Sequence, residues 1–394
     1  MKGRRRSRLF WCHPMLMDYR VGLFERMAER YDVRFFFQKR SDIPNPFPSV
    51  YGRDDVIRLD RIPEEDAREI RKGVRWSDVF VSSFVHSPHT AAGLLFAKMI
   101  GRKVIVWEEI GDRVLQDVRP RDPRYGWSGF FRAVMPGSAT DVRRRFRNVK
   151  TFQLRARLVD AFFVQGEFQA DALERLGVDR RRIFRANEYP GHRYAEVASS
   201  PFPLPADPGT RVFLFLGRLI AIKGVDYLIR AFHRLSQERS DVALFIAGDG
   251  PERRNLEELA RTLSARNVHF LGAVTEAERK SFLFERASAV VVPSVSFPES
   301  REGGPLVVLE ALSAGTPVIG TDALGSSTPF IRDGVSGYVV PERDVEALQE
   351  ALGRVLGSGA IPRESVLRSF AEIPSHVHQA DQVSRAVAFV TGRA

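Results

Sequence analysis

The chain has 394 residues, 44% hydrophobic and 28% charged, which are proportions of a folded protein and exclude a disordered chain. That length exceeds one ordinary core and predicts two domains. The net charge is +11, but residues 1–200 carry 39 Lys and Arg against 26 Asp and Glu, and residues 201–394 carry 21 against 23. The basic first half therefore suits a polyanionic partner (nucleic acid, anionic lipid or a phosphate-bearing substrate) or else carries a solvated arginine-rich surface.

In chain order, "MKGRRRSRLFWCHPMLMDYR" is basic, and His13, Pro14 and Asp18 break its apolar part. It reads as a tail entering a first strand rather than a signal peptide. Cys12 is the only cysteine, so no intrachain disulfide forms and a reducing compartment is implied. With no Cys or His cluster beside it, Cys12 reads as a buried small side chain. "RLFWCH" and "DVRFFFQ" predict strands flanking a helix at "VGLFERMAER". "SDVFVSSF" (77–84), "KVIVWEE" (103–109) and "DAFFVQG" (160–166) predict further strands, alternating with helices at "AAGLLFAKMIG" and "FQADALERLG" (168–177). The densest basic stretch, Asp141 to Arg157, holds Arg143, Arg144, Arg145, Arg147 and Lys150 among aromatic residues and suits docking to an anionic membrane surface. "ASSPFPLPADPGT" (198–210) has the composition of a linker.

The second half is more regular. "RVFLFLG" (211–217), "VALFIAG" (242–248), "VHFLG" (268–272), "ASAVVVP" (287–293), "PVIG" (317–320) and Gly337–Val340 are short apolar runs. Amphipathic stretches at 224–237, 251–265 and 343–356 alternate with some of them, with Pro251 expected at a first helical position. Buried strands alternating with helices predict an α/β fold of two doubly wound, Rossmann-like domains with parallel sheets. The expected domains are 1–200 and 201–370, with a helix in 371–394 returning toward the first. No run reaches the ~18 apolar residues of a membrane span, and no metal-ligand cluster stands out.

Ligands of parallel sheets bind beyond the carboxyl ends of the strands. After the strand at 211–217, Gly217, Arg218 and Lys223 are placed to hold a diphosphate, or are ordinary surface cations of a strand–loop–helix. In "SREGGPLVVLEALSAGTPVIG" (300–320), Pro305 is expected at the first helical position with Gly304 as the cap. The free N–H groups of Leu306 and Val307 then face an anion, and the glycine pair lets a ligand approach. Glu302 and Glu310 bracket that end, as acceptors from sugar hydroxyls or as a surface residue and a carboxylate favoured by the helix dipole.

The run from "FLGRLIAIKGVDYLIRAF" through "FIAGDGP" and "VHFLGAV" to "PSVSFPESREGGPLVVLEALSAGTPVIGTDALGSSTPFIRDGVSGYVV" resembles the C-terminal domain of retaining glycosyltransferases of family 4, which have the GT-B fold. The resemblance spans about 135 residues. It implies two Rossmann-like domains facing each other across a cleft, an acceptor-binding first domain and a nucleotide-sugar-binding second. It implies a retaining, metal-independent transfer of a hexose-type sugar from a nucleoside-diphosphate sugar to a glycan or lipid-linked acceptor, without a resident cofactor. Arg218 and Lys223 would hold the diphosphate, Glu310 the ribose and Glu302 the transferred sugar. The Gly303–Val307 backbone would meet phosphate and sugar, and Ala273 and Val274 the base. Glu302, Arg218 and Lys223 would form the catalytic set.

The first half departs from the family. "CHPMLMDYRVG" replaces a glycine-rich loop, leaving Gly22, and Glu108 or Glu109 stands where many members have a histidine facing the donor sugar. His86 and His89 also follow a strand, in capping or packing positions as readily as functional ones. A cytoplasmic-face, peripheral enzyme of surface polysaccharide or glycolipid assembly is the expectation. The alternatives are an epimerase or phosphorylase on the same fold, and a basic nucleic-acid-binding protein; no nucleic-acid-binding motif is present.

Overall fold

Runs such as Val242–Ala247 are buried at every position, as strands of a parallel sheet covered on both faces must be. The structure, a computed structural model, describes residues 5–13, 18–37, 67–83, 88–107, 152–185, 187–190, 209–297, 302–357 and 359–393. The chain divides into one unit of residues 1–191 and 374–394 and another of residues 192–373.

The first unit contains β1 (Arg8–His13), α1 (Asp18–Arg30), β2 (Asp32–Phe37), α2 (Ala67–Trp76), β3 (Val79–Ser83), α3 (Pro88–Met99) and β4 (Lys103–Trp107). After these come β5 (Ala161–Val164), α4 (Gly166–Arg175), β6 (Ile183–Arg185) and, beyond the second unit, the helix His376–Thr391. Its strands are parallel in the order β2-β1-β3-β4-β5-β6. Alternation along each strand divides the side chains between two cores. Phe10, Phe80, Val104, Val106 and Phe162 pack with α2, α3 and α4. Leu9, Trp11, Val81, Ile105 and Trp107 pack with α1 and the C-terminal helix. Cys12 lies in the first core, and burial pushes its thiol up to about 12. It is protonated at neutral pH and belongs to the packing.

The segment 187–190 and the start of the C-terminal helix are tied together within this unit. Gln379 Nε2 donates to the Asn187 carbonyl, and Gln379 Oε1 lies 2.8 Å from His376 Nδ1. Tyr189 meets the His376 ring edge-on at 5.0 Å. Gly22 fits beneath that ring, since a Cβ there would come within 2.5 Å of its Cδ2. Beside them Arg20, buried, pairs with Glu188 at 2.7 Å and lies 4.7 Å from the Trp107 ring.

Burial holds His376 below the ordinary histidine range, outweighing the Gln379 and Pro190 oxygens that favour the proton. The unfolded chain therefore binds this proton more readily than the folded one. Stability that is full above the unfolded value, ~6.5, falls as pH drops toward the lowered folded value. Trp11, Trp76 and Trp107 lie in this unit and residues 192–373 contain no tryptophan, so tryptophan fluorescence reports the first unit's unfolding. We expect the urea midpoint by tryptophan fluorescence to be lower at pH 5.5 than at pH 7.5, and His376→Asn to shrink that difference.

The second unit holds β7 (Arg211–Leu216), α5 (Val225–Glu238), β8 (Val242–Ala247), α6 (Arg253–Thr262), β9 (Val268–Gly272), α7 (Ala277–Arg286) and β10 (Ala287–Val292). It continues with α8 (Leu306–Ser313), β11 (Val318–Thr321), β12 (Gly337–Val340), α9 (Val345–Leu356) and α10 (Arg363–Ala371); α11 is the His376–Thr391 helix of the first unit. The parallel order is β12-β11-β10-β7-β8-β9, so the winding reverses between β10 and β7. On one face Phe213, Phe215, Ile246, Val291 and Ile319 pack with α5, α6 and α9. On the other, Val308, Leu309 and Leu312 of α8 and Phe284 of α7 are buried.

Two helix starts differ from expectation. Pro251 lies in a turn closed by Arg253 N–H on the Gly250 carbonyl, and α6 begins at Arg253. Pro305 is the residue before α8 rather than its first: φ −68° suits either place, but ψ 122° is extended.

Candidate active site

The winding of the second sheet reverses between β10 and β7, which opens a crevice at their carboxyl ends. β7 leads into Gly217 and Arg218, and β10 into Pro293 and Ser294. The two are bound closely below the crevice. Gly224, at φ 59°, lets the 221–223 turn press on β10, since a Cβ there would lie 2.1 Å from the Pro293 carbonyl oxygen. Val295 N–H donates to the Ile222 carbonyl at 2.8 Å. Lys223 is therefore held beside the end of β10.

Its ammonium lies 2.6 Å from Glu302 Oε2, and Ser294 Oγ donates to the same oxygen at 3.2 Å. Both charged side chains are about five-sixths buried, at 17% and 16% exposure. Two residues that the sequence places 79 apart thus form one ion pair at the switch point. Arg218 stands exposed nearby in sequence, and its guanidinium has no ion-pair or hydrogen-bond partner among the described residues. Asp226, in the first turn of α5, is held above the usual carboxylate range by burial.

Glu302 precedes the N-terminus of α8. With Pro305 as the flanking residue, Leu306 and Val307 carry the first free N–H groups, and the Val308 N–H already bonds to the Pro305 carbonyl at 3.2 Å. Gly304 is needed for a reason inside the protein. Its φ is 153°, and a Cβ there would come 2.1 Å from Ser326 Oγ. Ser326 donates to the Gly303 carbonyl through its N–H at 3.1 Å and its hydroxyl at 2.9 Å. The glycine pair therefore accommodates the 325–327 turn, which fixes the backbone in front of α8.

Glu310 is buried in α8, and its Oε1 lies 3.1 Å from Lys280 Nζ of α7. Lys280 was not among the residues singled out from the sequence. It sits in the charged run "AERKSFLFER", and no spacing signal links it to a glutamate 30 residues on. Of the two residues expected near a base, Ala273 is exposed and Val274 is buried, which leaves the Val274 side chain to packing. Glu108, Glu109, Arg143, Arg144, Arg145, Arg147, Lys150 and His86 lie outside the described residues, as does the side chain of His89. Among the described residues, no group of three His, Cys, Asp or Glu side chains is placed to hold a metal ion.

The second unit thus holds a solvent-facing arginine after β7, a helix N-terminus after β10 and two glutamates each paired with a lysine. That is a chemistry for a ligand with both anionic and hydroxyl-bearing parts. Residues 197–368 match the family model described as glycosyl transferases group 1. An exopolysaccharide phosphotransferase of Streptomyces coelicolor is 35% identical over 156 residues, 39% of this chain and 15% of that protein. The alpha-D-kanosaminyltransferase of Streptomyces kanamyceticus is 30% identical over 198 residues, 47% of this chain and 49% of that one. The chain thus spans less than half the length of these curated relatives. HepE of Anabaena, solved with UDP, superposes with a TM-score of 0.68 at 14% identity, over 97% of this chain and 99% of that chain. The chain has the GT-B architecture of two Rossmann-like units, and its second unit is related to the group 1 glycosyl transferases.

Proposed function

We propose that this protein is a retaining glycosyltransferase that moves a hexose-type sugar from a nucleoside-diphosphate sugar to a hydroxyl of a glycan or lipid-linked acceptor. The observation that carries the reading is the Lys223–Glu302 pair, held 2.6 Å apart beside the N-terminus of α8 at the switch point. A sugar diphosphate needs that combination: cations and N–H groups for the leaving phosphate, and a carboxylate for hydroxyls of the transferred sugar. Arg218, whose guanidinium has no partner among the described residues, and Lys223 oppose the charge that develops on the diphosphate. Glu310 accepts from the ribose, and Ala273 lies on the base side. The acceptor hydroxyl attacks from the face the diphosphate leaves, the departing phosphate takes its proton, and configuration is retained. The names of the relatives, a kanosaminyltransferase and a UDP-bound HepE, fit such a donor.

The test is turnover of UDP- and GDP-hexoses with the anomeric product followed by NMR. Released nucleoside diphosphate with an α-linked product from an α-linked donor supports the reading. An inverted product removes the retaining assignment, and absence of any sugar or phosphate release removes the transferase.

The acceptor side of the proposal is a cytoplasmic enzyme peripheral to an anionic membrane. Support comes from a surface of the first unit other than 143–150. On α3, Leu95 and Met99 are 53% and 82% exposed, one helical turn apart, and Ile100 follows. Beside them is Arg75 of α2, its guanidinium 5.4 Å from the Phe96 ring and its carbonyl accepting from Arg102 at 2.8 Å. Exposed apolar residues beside cations suit the boundary of an anionic bilayer better than a second, equally basic copy. Among the described residues, no helix is long and apolar enough to cross a membrane. The protein is expected to co-sediment with phosphatidylglycerol vesicles at low salt but not with phosphatidylcholine, and Leu95→Ser/Met99→Ser to weaken that binding. Equal binding to both vesicles would remove the membrane proposal.

A further inference from the structure

Glu310 does not stand alone in its helix. Its Oε1 is 3.1 Å from the ammonium of Lys280, and the two side chains are 9% and 16% exposed. A carboxylate and an ammonium this close and this far from water hold each other in one orientation. The pair also joins two parts of the site. Lys280 is in the first turns of α7, a few residues beyond the 273–276 turn, and Glu310 is in α8, whose N-terminus faces the phosphate side. A second bond ties the same elements together: the Thr316 hydroxyl, just past α8, donates to the Phe284 carbonyl of α7 at 2.7 Å. The distance between the base side and the phosphate side is therefore fixed by contacts that bracket Glu310.

We infer that Lys280 is a positioning residue that makes Glu310 a reader of the ribose. This rests on the proposed nucleotide-sugar site. By holding Oε1, Lys280 fixes the carboxylate plane, so that it accepts from the ribose hydroxyls at a set distance from the diphosphate. Loss of the ammonium removes the charge-assisted bond to Oε1, and with it the set position from which the carboxylate prefers a ribose to a deoxyribose.

The consequence is a discrimination ratio. Binding of UDP and 2′-deoxy-UDP, and of GDP and 2′-deoxy-GDP, is measured by calorimetry on the full chain. For the nucleotide that binds the wild type, the ribose form is expected to bind about tenfold or more tightly, the worth of one hydrogen bond to a charged group. Lys280→Gln is expected to bring that ratio close to one, weakening the ribose form and leaving the deoxy form little changed. Lys280→Arg, which keeps the charge, restores most of the ratio. Removing one partner of a buried pair can also unfold the protein, so the double variant Lys280→Gln/Glu310→Gln, which removes both charges, is measured alongside. It is expected to fold and to show the same loss of discrimination. If UDP or GDP binds and Lys280→Gln weakens ribose and deoxyribose forms equally, or leaves the ratio intact, the role of Lys280 is overturned while the nucleotide site stands. If neither binds the wild type, the ratio is measured on ADP or CMP and their deoxy forms, and if none of them binds, the nucleotide site itself fails and the inference fails with it.

Discussion

Replacing Arg218 by Ala should lower kcat/KM for the sugar-nucleotide donor by about 10²–10³, the usual cost of one preorganised donor to a developing anion. The fold should be untouched. Arg218 is exposed and its guanidinium serves no ion pair or hydrogen bond among the described residues, so its removal leaves nothing unsatisfied. Both arms are measurable, steady-state kinetics for the first and the thermal midpoint for the second. A variant that loses activity with an unchanged midpoint places the guanidinium on the diphosphate. An unchanged kcat/KM would leave Lys223 and the α8 terminus to oppose the charge at that end.

The two glutamates should fail in different ways. Glu310→Gln is expected to weaken binding of the nucleoside diphosphate itself by about 10–100-fold, because the lost hydrogen bonds are to the ribose. Glu302→Gln is expected to leave nucleoside-diphosphate binding within a few-fold and to cost about 10²-fold in turnover of the sugar nucleotide. The structure supplies the reason for the contrast. Glu310 is buried in α8 and tied to α7, whereas Glu302 lies before α8 at the switch point, on Lys223 and Ser294. Glutamine keeps the shape of each side chain, and at 302 it retains an acceptor for Lys223. Calorimetry with the diphosphate and kinetics with the sugar nucleotide separate the two. Equal losses of diphosphate binding in both variants would contradict the division of roles.

Much of the second unit was legible because its central strands are buried along most of their length. Val242–Ala247 has no polar position to hide, and each run ends at a glycine or proline where the chain must turn. Glu302, Glu310 and Lys223 could be picked out because the helix start and the strand end lie beside them in sequence. Lys280 could not, since its partner is 30 residues away and its own run alternates acids and bases as a solvent-facing helix would. The start of α8 was displaced by one residue because proline's fixed φ fits the position before a helix as well as the first turn, and only ψ distinguishes them. Gly304 carried a second ambiguity. A glycine beside a helix end suggests a ligand's approach, yet here Ser326 occupies the space. In the first unit the alternation predicted strands at the right runs, while the tie between His376, Gln379 and Asn187 spans nearly 200 residues and leaves no local pattern.

The most direct test of the central claim is a thermal-shift scan of the purified protein against UDP, GDP, ADP and CMP and their common sugars, with Arg218→Ala and Glu310→Gln alongside. A ligand that binds only the folded state raises the midpoint in proportion to its saturation. The nucleotide-sugar site predicts a rise of several degrees with one nucleoside diphosphate, diminished in both variants. No rise with any of them, in a protein whose wild-type transition is cooperative, would contradict a donor site at the switch point of the second sheet.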